Sequence, residues 1–323
     1  MKEIDLWIFI YNKLNKNLKV TLLLVANSSN SSPGKSGFKM AVSEDVETIG
    51  SIGGGIMEFD ILKEVNGIMA SDEPVNFIRK LHHKKGDDVE SSGLICGGTQ
   101  TLIVTSIYRK HIDIVKEIID NLEEQNNGLL IINQNGLSYK KEKENFEQIE
   151  LRYQDEDNWQ YEENIGLSNT VYIVGGGHVG LAVSRIMSTL DFYVITFDER
   201  ADVITMRNNT FANKKIITAY KDVGNFIKET NRSYIVIVTP NHDGDKTALQ
   251  SVINKNVKYI GLMGSKKKSK SIFNLLQKEG VAPELLEKVN TPVGLEIEAE
   301  SPEEIAVSIA AEIIKIKNTP LYS

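Results

Sequence analysis

Five short apolar runs, at 171–174, 193–197, 215–218, 234–239 and 259–263, constrain the fold of this chain more than any other feature. Stretches of helical length separate them, at 178–190, 201–207, 222–229, 245–255 and 266–279. Strand and helix alternating at this spacing predict a parallel sheet covered by helices on both faces. A last helix is expected over 302–315, with Ser301 as its N-cap and Pro302 at the first helical position.

The first of these strands runs into Gly175, Gly177 and Gly180, a G-x-G-x-x-G arrangement that opens a helix. The first glycine permits a tight turn, the second lets a pyrophosphate approach the backbone, and the third lets the helix pack on the strand. Free N–H groups at the helix start favour phosphate. Asp198, at the end of the next strand, is placed to accept hydrogen bonds from an adenosine ribose. His178 lies inside the turn, either against a ligand or in solvent. Together these features predict a Rossmann-type nucleotide-binding domain over 169–323.

The preceding sequence reads as a smaller α/β domain over 1–137. An amphipathic helix is expected over 1–16, strands near 20–26, 38–42, 47–52, 101–107 and 129–133, and helices over 56–70 and 111–124. Residues 138–168 are crowded with Lys, Glu, Asp and Gln and read as a solvated connector, with one strand around 148–152. Pro33-Gly-Lys-Ser resembles the end of a phosphate loop, but Ser29 stands where the earlier glycine is required, so it reads as a loop.

Composition narrows the function. A net charge of −7 speaks against a nucleic-acid partner, because phosphate backbones are gripped by basic surfaces. No apolar run approaches the ~20 residues of a membrane span, and the start lacks a signal-peptide pattern, so a cytoplasmic location is expected. Cys96 is the sole cysteine, which excludes an intrachain disulfide and leaves too few thiols for iron–sulfur clusters.

Several further residues are candidates. Gly53 and Gly54, in a cluster that also holds Gly50 and Gly55, suggest close backbone approach to a ligand or another segment. Glu58, on the following helical turn, either binds a ligand or caps the helix. Cys96 precedes two glycines in a loop, which suits soft-metal ligation as well as a structural role. His242 and Asp243 follow a strand's C-terminal end, where ligands bind in open α/β sheets, and Asp245 is placed to cap the next helix. Ser265 and Lys266, at another helix start, are candidates for phosphate contact, with Lys267 and Lys268 beside them.

These motifs together resemble the xanthine dehydrogenase accessory protein family (XdhC/CoxI). The likeness runs from Gly50-Ser-Ile-Gly-Gly-Gly and Cys96-Gly-Gly through the Gly175 turn, Phe197-Asp-Glu-Arg and Thr239-Pro-Asn-His-Asp. It continues in Tyr259-Ile-Gly-Leu-Met-Gly-Ser, Thr291-Pro-Val-Gly-Leu and Pro302-Glu-Glu-Ile-Ala-Val-Ser-Ile. The resemblance implies an accessory domain joined to a Rossmann domain, commonly in a homodimer. It also implies binding of molybdenum cofactor, as molybdopterin or its dinucleotide form, at a motif matching Cys96. The role implied is support of cofactor sulfuration, with a sulfurase as partner, and delivery to a molybdenum hydroxylase of the xanthine dehydrogenase type. This chain has Ile95 where many members carry a second cysteine, and Glu298 where many have glycine. Two other readings stand beside this one. One is an NAD(P)-dependent oxidoreductase with His242 as proton donor; the other is a nucleotide-sensing module without catalysis.

Overall fold

A computed structural model describes residues 3–29, 32–69, 74–82, 98–141, 149–166 and 169–319. The chain divides into two compact units, Met1–Leu167 and Ser168–Ser323. None of the described helices is long and apolar enough to cross a membrane.

Unit 1 contains α1 (Glu3–Asn15), β1 (Val20–Ser28), β2 (Lys39–Ser43), β3 (Thr48–Gly50), α2 (Gly55–Met69), β4 (Asn76–His82) and β5 (Thr99–Ile107). It continues with α3 (Ile112–Glu123), β6 (Gly128–Asn133), β7 (Gly136–Lys141), β8 (Glu150–Asp155) and β9 (Asn158–Ile165). The first five strands form an antiparallel sheet in the order β3-β2-β1-β5-β4. Side chains alternate across a strand, so β1 serves two cores. Leu23 and Val25 pack with Met57, Ile61 and Val65 of α2. Leu22, Leu24 and Ala26 pack with α1, α3 and the second sheet. Burial on both faces explains why β1 reads as one continuous apolar run.

The second sheet, β7-β6-β9-β8, corrects the reading of 138–168 as a solvated connector. Its strands are joined by turns at 134–135 and 156–157. In β9 only Trp159, Tyr161 and Ile165 are buried, and β8 is almost wholly exposed. One-sided burial leaves few apolar positions, so charge dominates the sequence there. β4, an edge strand, lies outside the elements expected from the sequence.

One polar contact ties the two sheets and α1 together. Lys39 on β2 is fully buried, with Nζ 2.8 Å from Glu163 on β9 and 3.0 Å from Glu3 on α1. The Tyr161 hydroxyl donates to Glu163 at 2.9 Å. Burial alone lowers a lysine's pKa, but the Glu163 and Glu3 charges outweigh it and keep Lys39 protonated.

Unit 2 contains β10 (Thr170–Val174), α4 (His178–Thr189), β11 (Tyr193–Asp198), α5 (Ile204–Arg207), β12 (Lys214–Ile217), β13 (Ser233–Ile237) and α6 (His242–Val252). After these come β14 (Tyr259–Leu262), α7 (Lys266–Lys278), α8 (Pro283–Leu286), β15 (Val289–Asn290) and α9 (Pro302–Asn318). All pairings are parallel, in the order β12-β11-β10-β13-β14-β15. Numbered within the unit this is 3-2-1-4-5-6, the dinucleotide-binding Rossmann order. Helices α4 and α9 cover one face, and α6 and α7 the other. Residues 222–229 are not an α-helix as expected; a 3-10 helix spans Tyr220–Phe226 instead. α9 starts as its sequence indicates, with Ser301 and Glu304 forming a reciprocal capping box.

Replacing Lys39 with Met is expected to destabilise the protein by about 3–5 kcal/mol, since Glu163 would be left buried without its cation. Urea denaturation with a probe in unit 1 checks this. A loss below about 1 kcal/mol would show that Glu163 finds relief elsewhere.

Candidate functional site

At the C-terminal end of β10 the chain reverses direction across the sheet, with β11 on one side and β13 on the other. Ligands bind open α/β sheets at such a crevice. Gly175, at φ +122°, closes the turn there, and a Cβ on it would lie 2.3 Å from the Val238 carbonyl oxygen. A Cβ on Gly180 would lie 2.0 Å from the Gly175 carbonyl oxygen, so α4 touches the strand backbone. Gly177 differs from both. It is the N-cap of α4, at an ordinary φ of −72°, and a Cβ there would meet nothing within 4 Å. Among the described residues no side chain caps this helix start. The result is a rigid turn with open space above Gly177 and helix N–H groups around it, which suits phosphate oxygens. His178, the first residue of α4, is exposed.

The neighbouring corner departs from expectation. The Asp198 carboxylate is fully buried and accepts from the Gly176 N–H at 2.8 Å and the Arg200 backbone N–H at 3.0 Å. It also accepts from Arg200 Nε and Nη2, both at 2.9 Å. A carboxylate offers about four acceptor sites, and four donors fill them. Burial pushes the Asp198 pKa up, but the Arg200 side chain and the two N–H groups outweigh burial and hold it below the usual carboxylate range. In this structure Asp198, expected to accept from a ribose, braces the glycine turn and Arg200. The buried Tyr220 hydroxyl feels the Asp198 charge but has no hydrogen-bond partner among the described residues.

Across the crevice, Asn241 caps α6 by accepting from the Gly244 N–H at 2.7 Å. Asp245 is therefore not the cap that its position suggests. It is buried, accepts from the Thr239 N–H and hydroxyl at 3.1 and 2.6 Å, and pairs with Lys268 Nζ at 2.7 Å. His242 is half-buried and Asp243 exposed. Ser265 caps α7, while Lys266 projects from its first turn, exposed. The sequence reading missed Arg200, Tyr220 and the Asp245–Lys268 pair. The spacing Asp198-x-Arg200 was the available signal, since an arginine two residues past a strand's end can fold back onto an acid there.

In unit 1 packing accounts for one glycine of the cluster, Gly53. A Cβ on Gly53 would lie 2.6 Å from the Gly34 backbone nitrogen, so the close approach is to another chain segment. Gly54 has open space beside it. Glu58 Oε2 accepts from the Ser51 hydroxyl and the Ile52 and Gly54 N–H groups at 2.7, 2.9 and 3.0 Å, which braces the loop before α2. Cys96 lies outside the described residues. Gly98, two positions on, packs against Ser29 and Ser32. Unit 1 also holds a cavity of about 720 Å³, lined by Asn27, Ser29, Phe77, Lys80, Thr101 and Tyr153 among others. Among the described residues no group of three or more His, Cys, Asp or Glu is placed to hold a metal.

Comparison with known proteins bears on both units. A family model described as the XdhC Rossmann domain matches residues 171–313, and one described as the XdhC and CoxI family matches residues 14–81. The chain is 22% identical over 306 residues to the uncharacterized protein YqeB of Escherichia coli K12, covering 94% of this chain and 44% of YqeB. This chain thus spans less than half the length of that relative. It is also 22% identical over 301 residues to a Bacillus subtilis protein described as a probable subunit of xanthine dehydrogenase, covering 88% of each. A crystal structure described as a xanthine dehydrogenase from Bacillus halodurans shares the fold, with a TM-score of 0.77 at 20% identity. That likeness covers 100% of this chain and 98% of the other.

The three glycines should respond differently to side chains. Gly175→Ala and Gly180→Ala are each expected to cost more than about 2 kcal/mol in thermal or urea denaturation, because backbone must move. Gly177→Val is expected to cost only about 1 kcal/mol yet to abolish binding of a nucleotide phosphate, read by calorimetric titration. Lys266→Ala should weaken nucleotide binding and flatten its salt dependence without loss of stability. An unchanged affinity would return Lys266 to being a solvated side chain.

Proposed function

Because the chain belongs to the XdhC and CoxI family, we propose that it is a maturation factor that handles molybdenum cofactor for a hydroxylase of the xanthine dehydrogenase type. In this reading it binds the cofactor as molybdopterin or its dinucleotide form, supports its sulfuration with a sulfurase as partner, and delivers it. A homodimer would be the working assembly. The observation that carries the reading is the open cradle above Gly177 at the switch point of a 3-2-1-4-5-6 sheet. The phosphate-bearing part of such a cofactor, or of NAD(P), fits there by space and by donor chemistry.

The metal end is supported by donor type. Cys96 is the only cysteine of the chain, and a thiolate is its one strongly soft ligand. Bound cofactor would supply the molybdenum centre that the hydroxylase needs. Within unit 2, Gly175–Gly177 would hold phosphate, and the thiol of Cys96 in unit 1 is proposed as a soft donor on its chemistry alone. The 720 Å³ cavity of unit 1, bordered by Ser29 and Thr99 among others, has the size of a small-molecule site. The name of the Bacillus subtilis relative is the reason for choosing a xanthine dehydrogenase-type hydroxylase as client.

Mass spectrometry of ligand released from freshly purified protein, with molybdenum counted by elemental analysis, tests the reading. A molybdopterin species supports it, whereas a nicotinamide dinucleotide that turns over would support an oxidoreductase instead. Cys96→Ser keeps the side chain's size but removes the soft donor. It is expected to fold normally and to retain at least roughly tenfold less molybdenum. A hydroxylase matured with that variant should gain correspondingly less activity. Full retention and full activation would remove Cys96 from the proposal.

A further inference from the structure

The corner of the Rossmann site beside Asp198 offers a ribose diol no vacant carboxylate acceptor. A diol is recognised there by donating to a carboxylate with vacant acceptor sites. Four donors already fill the four sites of Asp198: the Gly176 and Arg200 N–H groups and two N–H groups of the Arg200 side chain. The Tyr220 hydroxyl, a fifth donor beside the same carboxylate, goes without a partner among the described residues.

What faces outward is a donor. Arg200 uses Nε and Nη2 on Asp198, one edge of its planar fork. Of its five N–H groups this leaves three, including the opposite Nη1–Nη2 edge, with no partner among the described residues. The side chain is 42% exposed, against 0% for Asp198, so the free edge is open to solvent. Such an edge matches two oxygens of a phosphate in the bidentate geometry favoured by arginine. Glu199 and Asp202 flank it, but both are exposed, so their repulsion is screened by water and salt.

We propose that Arg200 is the specificity-determining residue of this corner, and that the site selects a nucleotide carrying a phosphate on its adenosine ribose over one carrying the free diol. Asp198 is then a positioning residue that aims Arg200 without touching ligand. This rests on the reading that unit 2 binds a nucleotide at the Gly175 turn.

Calorimetric titration of the full chain with NADP and NAD, and with adenosine 2′,5′-bisphosphate and 5′-AMP, tests it. The phosphorylated member of each pair should bind roughly tenfold tighter or better, as expected for added hydrogen bonds to a charged group. The preference should shrink as salt rises. In Arg200→Gln the preference should collapse, and NAD should bind more tightly than to wild type, because two acceptor sites of Asp198 become free. Equal affinities in the wild type, or an unchanged ratio in Arg200→Gln with its fold confirmed by circular dichroism, would overturn the inference while leaving nucleotide binding intact. Binding of none of the four compounds would overturn both the inference and adenosine-nucleotide binding at this turn, and would leave the pterin reading to its own test. The wild-type comparison needs no variant and decides the matter even if Arg200→Gln folds poorly.

Discussion

The backbone of Gly175 presses on the Val238 carbonyl while Gly180 presses on the Gly175 carbonyl, with no room for a side chain at either contact. These two approaches fix the distance of α4 from β10 and the position of the turn against the end of β13. Asp198 adds a third restraint by accepting the Gly176 N–H. Because all three belong to the fold itself, the space above Gly177 exists before any ligand arrives. A phosphate entering it would order little of the protein, which is the condition under which weak individual contacts give useful affinity.

Unit 1 solves a different problem. Its strands β8 and β9 carry too few apolar residues to hold the second sheet by burial alone, and Lys39 compensates by joining β2 to β9 and α1 through Glu163 and Glu3. Desolvating a lysine and a glutamate offsets much of their attraction, so the gain in stability over an apolar pair is small. The effect on specificity is larger. A one-residue slip of β9 would move Glu163 to the other face and leave Lys39 buried without its main partner. Tyr161 and Trp159 would leave the core in the same slip.

The Rossmann half was legible because burial on both faces makes β10, β11, β13 and β14 apolar throughout, and glycine marks the turn. The sheet of β6 to β9 was legible only in part, as the strands near 129–133 and 148–152, for the opposite reason. Gln160, Glu162 and Asn164 lie between the core residues of β9, so the strand's period-two signal is buried in charge. β15, with two residues, is too short to carry a periodic signal. At the site, sequence located the glycines and the strand-end residues but not their partners. Glu58, Asp198 and Asp245 all stand where a ligand-binding acid would stand, and all three accept from their own loops. An acid at the end of a strand or the start of a helix is favoured for either use, so residue type and position alone do not separate them.

Two of those acids share an arrangement that the sequence does not advertise. Asp198 is fully buried and Arg200 is 42% exposed; Asp245 is 1% exposed on its side chain and Lys268 32%. In each pair the buried carboxylate accepts from backbone N–H, that of Gly176 and Arg200 for Asp198 and of Thr239 for Asp245, and the cation is the more exposed partner. The acids are thus withdrawn from the ligand's view, whereas their basic partners are held in place by them. Arg200 stands beyond the end of β11 and Lys268 beyond the end of β14, on opposite sides of the glycine turn. Glu199, Asp202 and Asp243 are exposed at the same strand ends, so these two cations are local donors set among acids rather than a uniformly basic rim. Their outward placement follows from burial of their partner acids rather than from an excess of basic residues, so composition gives no sign of it.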